Sequence, residues 1–150
     1  MPGDPQTVLR KLKTQAVDTS AYDEVWVVVD EDGVDRTSFV RAVVDAGPKT
    51  EGVSTWHAVV SRPCFEVWLV AHYEPVRRYQ NQAEAQRHFD KVASERKTQK
   101  HLPEDFPFEL DAVAEERCQL AGAEERGGGL LPPSPGSDMG LLVSRLLREN

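Results

Sequence analysis

Asp30 and Asp32 close the apolar run Val25-Trp26-Val27-Val28-Val29, with Glu31 between them and Gly33 to turn the chain away. Carboxylates at i and i+2 off the end of a strand can point into one space and grip one hard cation, since such ions take oxygen ligands. Aspartates are also favoured in turns on their own account, so the pair reads either as a metal site or as turn chemistry. Glu66 falls in the first turn of a predicted helix beside the end of a second apolar run. There it either adds a third carboxylate or only offsets the helix dipole, a contribution of about 0.3–1 kcal/mol. His72 shares a helical face with Phe65 and Trp68, as a core histidine with one hydrogen-bond partner or as a catalytic one. Cys64, just ahead of that stripe, reads as a small buried hydrophobe. Lys97, Lys100 and His101 end the most basic stretch of the chain and, with Arg62, are candidate phosphate contacts. The bland alternative is a solvated helix end, where cations are favoured anyway.

These residues need elements to position them. An apolar run this short and uniform predicts a strand buried on both faces, as in a parallel sheet, and ligands collect at the C-terminal ends of such strands. Ahead of it, residues 6–16 form a predicted amphipathic helix with Val8, Leu9 and Leu12 on one side, Asp4 as cap and Pro5 in the first turn. Arg36 to Ala46 sets Phe39, Val40, Val43 and Val44 at helical spacing, and Gly47-Pro48 ends that helix. A second strand over residues 56–60 completes a βαβ unit. Pro63 then fits the first turn of a helix reaching Tyr73. Asn81 caps a polar helix extending to about Lys100, residues 108–125 return to helix, and the glycines and prolines of 127–136 predict a loop. Ser137-Asp138 caps a last helix, packed through Met139, Leu142, Val143, Leu146 and Leu147.

At 150 residues the chain suits one domain with one core. Its net charge of -7 argues against a protein that coats nucleic acid by electrostatics alone, while leaving room for a local basic patch. Two cysteines, Cys64 and Cys118, are too few and too far apart for a metal knuckle or a disulfide framework. No apolar run approaches the roughly 20 residues of a membrane span, and no signal-peptide core is present, so a soluble cytoplasmic protein is expected.

Three segments in order resemble the RloB-like family, which includes the AbiL second-component proteins of phage-abortive systems. Residues 22–32, Tyr-Asp-Glu-Val-Trp-Val-Val-Val-Asp-Glu-Asp, are similar to the family's strand ending in Asp-x-Asp. Residues 61–73, Ser-Arg-Pro-Cys-Phe-Glu-Val-Trp-Leu-Val-Ala-His-Tyr, are similar to its most specific helix. Ser134 to Leu147 resembles its closing helix more loosely. The resemblance implies a Toprim-like fold, α/β and three-layered, with a short, mostly parallel sheet, helices on both faces and a helical C-terminal half. It implies Mg2+ or Mn2+, phosphodiester chemistry on tRNA, other RNA or DNA, and an effector role in abortive infection. Asp30 and Asp32 fall on the Asp-x-Asp, and an AAA- or ABC-type ATPase partner is implied. The family's opening Glu-bearing strand has no counterpart in this sequence, so the expectation is either a truncated or mis-started version or a shortened homologue whose missing acid comes from elsewhere, with strand donation or a homodimer covering an exposed sheet edge. Two other expectations stand beside the nuclease: an inactive interaction module, and nucleotidyl or phosphoryl transfer on a small nucleotide.

Overall fold

The computed structural model describes residues 4–14, 23–46, 55–93, 102–120, 131–132 and 134–148. Helix α1 (Pro5–Thr14) starts where the sequence predicts, because the Asp4 carboxylate accepts from the Thr7 N–H and hydroxyl at 3.0 and 2.9 Å. Strand β1 (Glu24–Asp30) follows, then α2 (Thr37–Ala46), whose free amide at Thr37 is capped by Asp35. Strand β2 (Thr55–Arg62) lies parallel to β1, in register from Glu24 opposite Thr55 to Asp30 opposite Ser61. The chain continues through α3 (Glu66–Ala71), α4 (Gln82–Val92), a 3-10 turn at Phe108–Leu110, α5 (Asp111–Leu120), β3 (Gly136–Ser137) and α6 (Met139–Arg148).

The strand order is β1-β2-β3, with β3 antiparallel to β2 at Ser61 and Arg62. On one face, Val27 and Val29 of β1 and Trp56 and Val60 of β2 join Leu9 of α1 and Phe39, Val40 and Val43 of α2. A second cluster, through Val67, Leu69, Phe89, Phe106, Ala114 and Cys118, unites α3, α4 and α5, with α6 packed on it and α3 and α6 against β2. This is the three-layer α/β arrangement the sequence predicts. Among the described residues no helix is long and apolar enough to cross a membrane.

Four expectations need correction. Strand β1 is not covered on both faces: Val27 and Val29 are 6% and 7% exposed, whereas Val28 between them is 50% exposed. Among the described residues β1 stands at the sheet's margin, and α3 and α6 pack on β2. Helix α3 begins at Glu66, three residues after Pro63: Pro63 lies in a bend, and the first helical bonds run from the Val67 and Trp68 amides to the Cys64 and Phe65 carbonyls. Helix α4 ends at Val92, where Ala93 leaves helical dihedrals at φ -98° and ψ 59°. Gly136 and Ser137 form β3 rather than loop and cap. The Ser137 hydroxyl pairs with that of Ser61 at 2.7 Å and accepts the Met139 N–H at 3.1 Å, so it still serves the first turn of α6.

Candidate functional site

The tip of β1 is built as a tight turn. Asp32 and Gly33 both have positive φ, 50° and 70°, and the Val34 N–H closes on the Glu31 carbonyl at 3.0 Å. Two successive left-handed residues suit glycine and aspartate and would strain a β-branched residue. The tip is fastened on both sides. Glu31 N–H donates to the Ser61 carbonyl and Asp32 N–H to the Pro63 carbonyl, at 2.9 and 3.1 Å. Arg62 Nε donates to Glu31 Oε2 at 2.6 Å, and its Nη1 reaches the Pro132 carbonyl at 3.0 Å.

Within this frame Asp30 is part-buried and accepts the Phe65 N–H on Oδ1 at 2.9 Å, joining the end of β1 to the turn that opens α3. Its carboxyl is pushed up to about 6, by burial first and then by the negative charge of Glu66, with Asp32 adding to it and the Phe65 amide and Arg36 opposing. Asp30 and Asp32 line one groove with Arg36 and Phe65. Glu66 is close enough to act electrostatically on both Asp30 and Cys64. The arrangement thus brings the fields of three carboxylates together at one sheet end. Among the described residues no group of three His, Cys, Asp or Glu side chains is arranged to hold a metal ion.

The remaining sequence candidates are placed differently. His72 is fully buried, with Nδ1 2.8 Å from the Trp68 carbonyl and Nε2 2.6 Å from Asp111 Oδ1. It braces α3 against α5 and is absent from the lining of the acidic groove, so the catalytic reading gives way to the core one. Arg62 is likewise spent inside the fold, on Glu31 and Pro132, and is a clasp rather than an open phosphate contact. Lys97, Lys100 and His101 lie outside the described residues. Cys64 is buried, its thiol pushed well above the ordinary range by burial and by Glu66, which suits a packed thiol and not a nucleophile.

Sequence reasoning missed three contributors. Arg36, whose Nε donates to the Asp30 carbonyl at 3.1 Å, was visible only as the start of a helix. Asp111, the partner of His72, lies 39 residues away in sequence. A chain of Tyr79, His88 and Glu74 also forms: the Tyr79 hydroxyl is 2.6 Å from His88 Nδ1, and His88 Nε2 bonds Glu74, tying the segment before α4 to that helix. Its residue types carry no spacing signal.

A family model described as RloB-like protein matches residues 2–146 of the chain. No curated protein and no solved structure matches it significantly.

Proposed function

We propose, from the premise that this chain belongs to the RloB-like family, that it is a divalent-metal-dependent phosphodiesterase of nucleic acid serving prokaryotic defence against phage. The observation that carries the reading is Asp30, a part-buried carboxyl at a strand's end whose proton is held to about pH 6 by burial and by Glu66 and Asp32. Like charges gathered around a desolvated carboxyl are what a bound cation relieves. The donors fit Mg2+, which is commonly held by one or two carboxylates, waters and substrate phosphates and needs no all-protein cage. Asp30 and Asp32 would hold it, with Glu66 contributing its charge from the start of α3. When bound, such an ion polarises a phosphoryl oxygen and activates water. The chain's own groups set the frame: the Phe65 amide orients Asp30, the left-handed turn fixes Asp32, and the Arg62–Glu31 pair holds the tip in place. Lys97, Lys100 and His101 are proposed as phosphate contacts, a cytoplasmic setting as the location, and an AAA- or ABC-type ATPase as the partner.

A second reading, a catalytically inactive interaction module, is favoured by the missing three-donor cluster among the described residues. Calorimetric titration of Mg2+ into the wild-type chain and Asp30→Asn separates the two. Binding that is lost in the variant, with RNA or DNA cleavage in the wild type, supports the phosphodiesterase. No heat at millimolar Mg2+ supports the module. Turnover of mononucleotides without cleavage of polymers would reassign the same acids to transfer on a small nucleotide.

A further inference from the structure

Tyr79, His88 and Glu74 are joined in a relay, and none of them lines the acidic groove. Helix α4 turns His88 inward, where its side chain is 4% exposed. Chemistry fixes the direction of each bond. The His88 link holds the Glu74 carboxyl below the usual carboxylate range. An ionised carboxylate only accepts, so His88 Nε2 carries a proton and donates it to Glu74. An imidazole protonated there accepts at Nδ1. The Tyr79 oxygen receives the Arg77 N–H at 3.5 Å, which directs its own proton to His88 Nδ1, 2.6 Å away. A hydroxyl bonded to an imidazole whose other nitrogen is held by a carboxylate is the arrangement that activates a nucleophile.

We propose that Tyr79 is a nucleophile that accepts a phosphoryl group, with His88 as its general base and Glu74 as the residue that positions the imidazole. Arg77 and Arg78, both exposed, precede the half-buried phenol along the chain. Two guanidinium groups favour an anionic phosphate over a neutral acyl group. The acids nearby are engaged. Glu74 stands on the far side of the imidazole and is paired with Arg77 at 3.3 Å, and Glu84 accepts the Gln80 N–H at 2.9 Å.

Burial, opposed by the Arg77 amide and charge, raises the Tyr79 phenol above its ordinary range. The oxygen is therefore not a resting phenolate, and its proton leaves during attack. In that step Tyr79 Oη bonds to phosphorus as the bond from phosphorus to the leaving oxygen breaks, and the leaving oxygen keeps the electron pair. The Oη proton passes to His88 Nδ1 and then to solvent, while the Nε2 proton stays on Glu74. The donor is an activated phosphate, an acyl phosphate or a phosphoric anhydride, whose leaving group departs without a proton. No part of this draws on the groups at the end of β1, so the proposal is independent of the phosphodiesterase reading.

The test incubates the full chain with acetyl phosphate in EDTA, which keeps a metal site silent, and maps the product by mass spectrometry. Tyr79 should gain a phosphoryl group at least about tenfold faster than Tyr73, a half-buried tyrosine on the same cluster. His88→Gln should abolish the label, and Glu74→Gln should slow it several-fold. A relay that only fastened residues 74–81 to α4 would do the reverse, since Glu74→Gln would free the segment and expose Tyr79 to faster labelling. Glu74 is 39% exposed, so its replacement leaves the core filled and keeps the test decisive if His88→Gln fails to fold. Labelling of Tyr79 no faster than Tyr73 overturns the proposal. So does equal or faster labelling in Glu74→Gln, transfer of the acetyl group in place of the phosphoryl group, or an acid-labile phosphate on His88.

Discussion

Asp30 serves the fold and the site at once, and the two demands conflict. Its Oδ1 satisfies the Phe65 amide, while its charge sits among Glu66 and Asp32 in a partly desolvated place. A carboxyl raised from about 3.8 to about 6 binds its proton more tightly in the folded chain. Without metal, stability therefore falls as pH rises through that window, and the deficit is complete above it. Asp30→Asn keeps an acceptor for Phe65 and removes the charge. The variant should gain about 1 kcal/mol at pH 7–8, the share left after solvent screens a part-exposed carboxyl. It should gain nothing near pH 3.5, and Mg2+ should no longer raise its melting temperature. Urea melts across pH, with and without the ion, would show both effects. His72 makes the opposite case. His72→Ala leaves Asp111 and the Trp68 carbonyl without a partner, and a loss of about 3 kcal/mol is expected, with calorimetric Mg2+ affinity unchanged wherever the variant folds. The Asp-x-Asp pair was legible in the sequence because an apolar run ending in acids and glycine is a local pattern. The role of His72 was only half legible, since its partner sits on another helix.

At the scale of elements, the sequence gives the type of each piece more faithfully than its surroundings. Val25 to Val29 reads as doubly buried because every residue is apolar, yet burial of the second face depends on where α3 and α6 come to rest. They rest on β2, and Val28 stays half-exposed. Proline's preference for first turns points to a start of α3 at Pro63, whereas Pro63 lies in a bend and the helix begins at Glu66. Strand β3 was invisible, two residues being too short for any periodicity. The meeting of α5 and α6 offers a direct check. A Cβ at Gly140 would lie 2.6 Å from Glu115 Cγ and 2.8 Å from its Cβ, atoms too near the backbone to swing clear. Gly140→Ala should push the helices apart, break the Ser144–Glu115 hydrogen bond and cost about 1–3 kcal/mol. Chemical denaturation would measure the loss, and a neutral result would mean that the two helices pack less closely than described.

Over the whole molecule, one apolar cluster joins β1 and β2 to α1 and α2, and the other unites α3, α4 and α5, with β2 touched by helices on both faces. Amides of β2, which pairs with β1 on one side and β3 on the other, should thus be among the slowest to exchange. Hydrogen-exchange mass spectrometry would rank them, and a β2 peptide that exchanges early would contradict this account of the core. The two cysteines make that hierarchy readable by a simpler route. Both are free and fully covered, and burial pushes the Cys118 thiol up to about 12 and the Cys64 thiol higher still. Neither can react with an alkylating reagent until its surroundings part. Cys64 stands next to the acidic groove, whereas Cys118 lies in α5 beneath α6. The chain therefore carries two internal timers, one for breathing at the groove and one for separation of the C-terminal helices, and mass spectrometry of alkylated protein can read them separately.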